Sequence, residues 1–125
     1  MNKKLLVLAP LALFGLNEPA EVGAQADCAT VNVPPVCQRG SQVTINTQTS
    51  NVSPPNVCAS PGSSVSFNVV PTGTAVVVSK NGTSWLSGSG NAFAINVPGD
   101  AAGSYDYAVF FEDGSCIDPR ISIDD

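Results

Sequence analysis

Beyond residue 40 the chain alternates apolar and polar positions with a period of two. Val43 and Ile45 are set against Thr44 and Asn46, and Val65, Phe67 and Val69 against Ser64, Ser66 and Asn68. Phe93, Ile95 and Val97 repeat the pattern, as do Tyr105, Tyr107, Val109 and Phe111, and finally Ile121 and Ile123. Alternate side chains of a strand point to opposite faces, so this period predicts half-buried β-strands. Ala75 to Val78 is a short continuous apolar run, which fits a strand buried on both sides or one near a bulge. Residues 27–125 show no helical period.

The breaks between these runs carry turn chemistry. Pro61-Gly62 suits a type II turn, where proline fixes the first φ and glycine supplies the positive one. Asn81-Gly82 predicts a hairpin that turns a strand ending near Lys80 into one running through Trp85. Pro98-Gly99-Asp100 and Asp113-Gly114 mark further turns, and Ser87 to Asn91 reads as a flexible loop. Short strands at this spacing imply an all-β sandwich or small barrel, with neither internal repeat nor second domain.

The first 26 residues read differently. A basic start, Met1-Asn2-Lys3-Lys4, precedes twelve largely apolar residues from Leu5 to Leu16, and Ala24-Gln25-Ala26 closes the segment. This is the pattern of a secretory signal peptide, 1–26, cut after Ala26. The apolar run is shorter than the roughly 20 residues of a membrane span, so no stable membrane insertion is expected after cleavage. Residues 27–125 then form the exported domain, periplasmic or extracellular. It is large enough for one core, burying roughly 65% of its unfolded surface.

Cysteine usage agrees with that compartment. Cys28, Cys37, Cys58 and Cys116 all follow the cleavage point, and an even count in a small exported domain reads as two disulfides. Three pairings are open, and sequence alone does not choose among them. The favoured set is Cys28–Cys37, a local staple across Val33-Pro34-Pro35, with Cys58–Cys116 as the long one. Zinc sites usually present cysteines two to four residues apart. Here the intervals are nine, twenty-one and fifty-eight, so zinc is not expected. The domain carries eight acids against Arg39, Lys80 and Arg120, a balance that disfavours nucleic acid and anionic membrane as partners.

Two segments resemble the cupredoxins, the Greek-key sandwich family of plastocyanin and azurin. Pro61-Gly62-Ser63-Ser64-Val65-Ser66-Phe67 is similar to the family's P-G-x-x-V-x-F turn and strand. Gly103-Ser104-Tyr105-Asp106-Tyr107-Ala108-Val109 is similar to its G-x-Y-x-Y-x-C strand before the copper-binding loop, and Ile121-Ser122-Ile123 follows as a last strand. The resemblance implies a single cupredoxin-like Greek-key β-sandwich, all-β, with Tyr105, Tyr107, Val109 and Phe67 facing inward. It does not extend to the metal. Type 1 copper takes two histidines, a thiolate and a weak axial methionine. This chain has no histidine, its only methionine is Met1, and Val109 stands where the copper cysteine would. No cofactor and no metal are expected.

Without histidine, Ser-His-Asp and Cys-His catalysis are excluded. A Ser-Lys dyad would have only Lys80, beside a turn and solvated. The acidic loop 112–118 (Glu112, Asp113, Asp118) leaves two alternatives open: calcium ligation, for which its spacing is wrong, and a hydrolase acting through paired carboxylates. Trp85 and Leu86 form the candidate interaction surface. Asn51 and Asn81 begin N-glycosylation sequons, which carry no meaning if the basic start and short apolar run are bacterial. The expected function is an exported binding or structural module whose ligand, a protein or small molecule, is unspecified. A surface or matrix subunit that assembles through a strand edge is a further alternative.

Overall fold

The computed structural model describes residues 28–124, so the signal peptide expected over 1–26 lies outside the described residues. The alternating segments form strands in two stacked sheets. β1 (Gln42–Asn46), β2 (Asn51–Ser53), β4 (Ser64–Val70) and β7 (Ala92–Asn96) make one sheet in the order β2-β1-β4-β7. β3 (Asn56–Ala59), β10 (Arg120–Ile123), β8 (Ser104–Phe110), β5 (Ala75–Ser79) and β6 (Ser87–Gly90) make the other in that order, with β9 (Cys116–Ile117) paired to β8. β1 runs parallel to β4 and β3 parallel to β10; the remaining pairs are antiparallel. This is the expected all-β sandwich.

The alternation places the core between the sheets. Val43, Ile45, Val65, Phe67 and Ile95 come from the first sheet, and Val57, Val77, Tyr107, Val109 and Ile121 from the second, all buried. Phe67 is paired in register with Phe93 across β4 and β7, and their rings stack with centroids 5.1 Å apart. Tyr107 meets Phe67 edge-on at 5.9 Å, joining the two sheets through one aromatic contact. The two segments that resemble the cupredoxins fall on β4 and β8, and β10 follows the intervening loop.

Between β2 and β3 the chain leaves one sheet and enters the other at Pro54-Pro55, where missing N–H groups end the ladder. The segment before β1 straps the β3 edge. Gln38 donates its N–H to the Asn56 carbonyl at 2.8 Å and accepts from the Cys58 N–H at 2.9 Å. Buried Asn56 is satisfied by donating to the Pro34 carbonyl at 2.8 Å and accepting from the Ser122 hydroxyl at 2.7 Å.

Three expectations are corrected. The disulfides are Cys28–Cys116 and Cys37–Cys58, with Cα atoms 4.8 and 5.0 Å apart, and not Cys28–Cys37 with Cys58–Cys116. The strap explains the difference. Ala29 bridges to Ile117 while Gln38 bridges to Val57, so the two cysteines of the strap sit beside different strands. Ser87 to Gly90 is a strand and not a loop, because it pairs along Ala75 to Val78 of β5. Gly88 suits that place: a Cβ there would lie 2.7 Å from the Phe93 ring. Trp85 lies in the connection before β6 and not on a strand.

Candidate functional site

Val109 occupies the copper-cysteine position of the resemblance. It is fully buried, in register with Val77 on β5 and Ile117 on β9. Cys116 is joined to Cys28, and none of the cysteines is free. With neither imidazole nor thiolate available, the donor set does not fit type 1 copper. The disulfide-bonded protein should therefore remain colourless on addition of Cu(II) under non-reducing conditions. An intense copper–thiolate band in the visible spectrum would overturn this assignment.

The carboxylates of the 112–118 loop are each engaged separately. Glu112 accepts from the Thr74 N–H at 2.9 Å and the Thr74 hydroxyl at 3.0 Å. Asp113 accepts from the Ser115 hydroxyl at 2.6 Å and its N–H at 3.0 Å, and the Ser115 bonds hold the Asp113 carboxyl below its ordinary range. Asp118 pairs with Lys80 at 3.4 Å. A depression of about 270 Å³ at this end is lined by Thr47, Ser50, Thr72, Gly73, Phe111, Glu112 and Asp113, and Asp118 is not part of it. Among the described residues, the three side chains whose ligand atoms gather within 4.8 Å are Cys37, Cys58 and Asp124, and the two sulfurs there are bonded to each other. The loop therefore does not gather its three acids into a calcium cage.

Trp85 and Leu86 do not form a surface patch. Leu86 is 0% exposed and belongs to the core. Its N–H donates to the Thr83 carbonyl at 3.2 Å and its carbonyl accepts from Ser79 at 3.0 Å, which turns the side chain inward. Trp85 is half-buried against Tyr105, edge-on at 5.0 Å, and both rings pack against the core. The Ser79 hydroxyl organises the same connection by accepting from the Asn81 and Thr83 N–H groups at 3.1 and 3.0 Å.

What sequence reasoning missed is the outer face of the first sheet. Strands β1, β2, β4 and β7 carry no charged residue, although the whole chain has a net charge of −5. Cross-strand register places Gln42, Ser66 and Ala94 in one row and Thr44, Asn68 and Ala92 in the next. These six exposed residues line a shallow, open trough of about 520 Å³. Small side chains at Ser66, Ala92 and Ala94 form its floor, with Gln42 and Asn68 supplying amides. The signal was present in the polar halves of the alternating runs, which otherwise read only as the solvated side of each strand.

No protein-family model matches this sequence, and no curated protein matches it either. Among solved structures, the chain is similar to a purple cupredoxin from Nitrosopumilus maritimus. The two are 13% identical over 66% of this chain and 98% of the other, with a TM-score of 0.43.

Proposed function

We propose that the protein is an exported, copper-free binding or structural module whose contact surface is the uncharged outer face of the β2-β1-β4-β7 sheet. The observation that carries this reading is the absence of charge from all four strands, on a chain whose acids and bases lie elsewhere. Hydroxyls and amides both donate and accept hydrogen bonds. Such a face suits an uncharged polar partner, because no ionised group has to be desolvated when the two meet. Two disulfides support an oxidising compartment and hence export. The hydrolase alternative finds little support, since Glu112, Asp113 and Asp118 are held by Thr74, Ser115 and Lys80 respectively.

The test is capture from the native compartment by immobilised secreted protein, compared with Ser66→Arg. Ser66→Arg puts a cation and a long side chain on the trough floor and should abolish capture, while Asp100→Asn should leave it unchanged. Equal capture by the original protein and Ser66→Arg would place the contact surface elsewhere.

A further inference from the structure

The four sheet edges are not equally protected. β2 is only three residues long and runs into Pro54-Pro55, which cannot extend a ladder. β3 is covered by Gln38 and tied to the strap by Cys37–Cys58. β6 consists of alternating serine and glycine. β7 has none of these devices: Ala92-Phe93-Ala94-Ile95-Asn96 contains no charge and no proline. Its register with β4 and the flanking bonds Val69 N–H to Asn91 carbonyl, 2.9 Å, and Val97 N–H to Ser63 carbonyl, 2.7 Å, fix its hydrogen-bonding parity. Phe93 and Ile95 turn their backbone groups to β4. Ala92, Ala94 and Asn96 turn theirs to the open side, and none has a backbone partner there among the described residues.

We propose that the β7 edge binds the β7 edge of a second copy of this chain, antiparallel, about a two-fold axis at Ala94. The parity makes the edge self-complementary. Ala94 faces Ala94 and Ala92 faces Asn96, and each pair exchanges N–H and C=O in both directions. Charge also favours this partner. Two acidic molecules repel, but neither β7 nor its neighbour β4 carries a charge to oppose another across the joint. The two outer faces then become one continuous uncharged surface. This inference stands on the edge alone, whatever the face binds.

Sedimentation of the secreted protein should give twice the chain mass, falling to the monomer on dilution. Amide exchange at Ala92, Ala94 and Asn96 should slow as concentration rises. Ala94→Lys sets two ammonium groups beside the two-fold and should yield a monomer with unchanged near-UV circular dichroism. Ser66→Arg, on the same face but not on the edge strand, should remain dimeric. A protein that is monomeric at every soluble concentration would overturn the proposal. So would a dimer that survives Ala94→Lys, or concentration-independent exchange at the three amides.

Discussion

Tyr107→Ala should lower the free energy of unfolding by about 3–5 kcal/mol, the range for deleting a large buried aromatic. Tyr107 is fully buried and its ring bridges the sheets against Phe67, so truncation empties the middle of the core. The neighbouring residue supplies the contrast. Asp106 points outward and pairs with Arg120 at 3.0 Å, both side chains well exposed. Exposed pairs contribute about 0–1 kcal/mol, so Asp106→Ala should cost no more than that. Chemical denaturation of both variants, disulfides intact, makes the comparison. A larger loss for Asp106→Ala would reverse the facing of β8.

The Tyr107 hydroxyl has a consequence of its own. It is buried with no hydrogen-bond partner among the described residues, and burial pushes its ionisation far above the ordinary tyrosine range. The folded protein then keeps this proton at pH values where the unfolded chain releases it. The stability it contributes is fully present below about pH 10, the unfolded value, and is lost as pH rises beyond it. The slope from this one group is about 1.4 kcal/mol per pH unit. Tyr107→Phe should remove that component of the alkaline slope. At neutral pH the variant should be no less stable than the original, since an unsatisfied buried polar group costs about 1–3 kcal/mol. Denaturation midpoints at neutral and alkaline pH distinguish the outcomes, and an unchanged alkaline slope in Tyr107→Phe would place the titrating group elsewhere.

Removing Cys28–Cys116 by a double serine substitution should cost about 4–5 kcal/mol, and removing Cys37–Cys58 about 3 kcal/mol. The bridges span 88 and 21 residues in sequence. In the chain-entropy account the loss grows with the logarithm of the loop closed. Each figure is a large share of the roughly 5–15 kcal/mol that holds a domain folded. Peptide mapping without reduction should recover Cys28 with Cys116 and Cys37 with Cys58. Recovery of a Cys28–Cys37 peptide, or equal destabilisation by the two double substitutions, would contradict the arrangement.

Strands with a buried and a solvated face were legible because they obey a period of two: β1, β4, β7, β8 and β10 all lie on alternating runs. β6 was hidden because serine and glycine have little intrinsic strand preference. It is a strand because β5 lies beside it and because Phe93 needs the space left by Gly88. β2, β3 and β9 are two to four residues long, too short to show a period. The disulfide pairing depends on where the strap crosses the sheets, a non-local fact that intervals along the chain do not contain. Leu86 and Trp85 follow the same rule. A hydrophobic pair beside an Asn-Gly turn can face either way, and Leu86 lies in the core where its N–H donates to the Thr83 carbonyl and its carbonyl accepts from the Ser79 N–H. The uncharged face needed only the outward positions of four strands, yet their adjacency comes from β1 lying parallel to β4, a pairing between distant segments.

β10, the last strand in chain order, is inserted between β3 and β8 and not added at a margin. During synthesis, therefore, the second sheet lacks the strand that joins β3 to β8 until residues 120–123 emerge. Until then β3 has no link to β8, and Cys28 has no bridging partner until Cys116 is made. Closure of the second sheet is thus a late, long-range event in folding, because β10 follows in sequence every strand it joins.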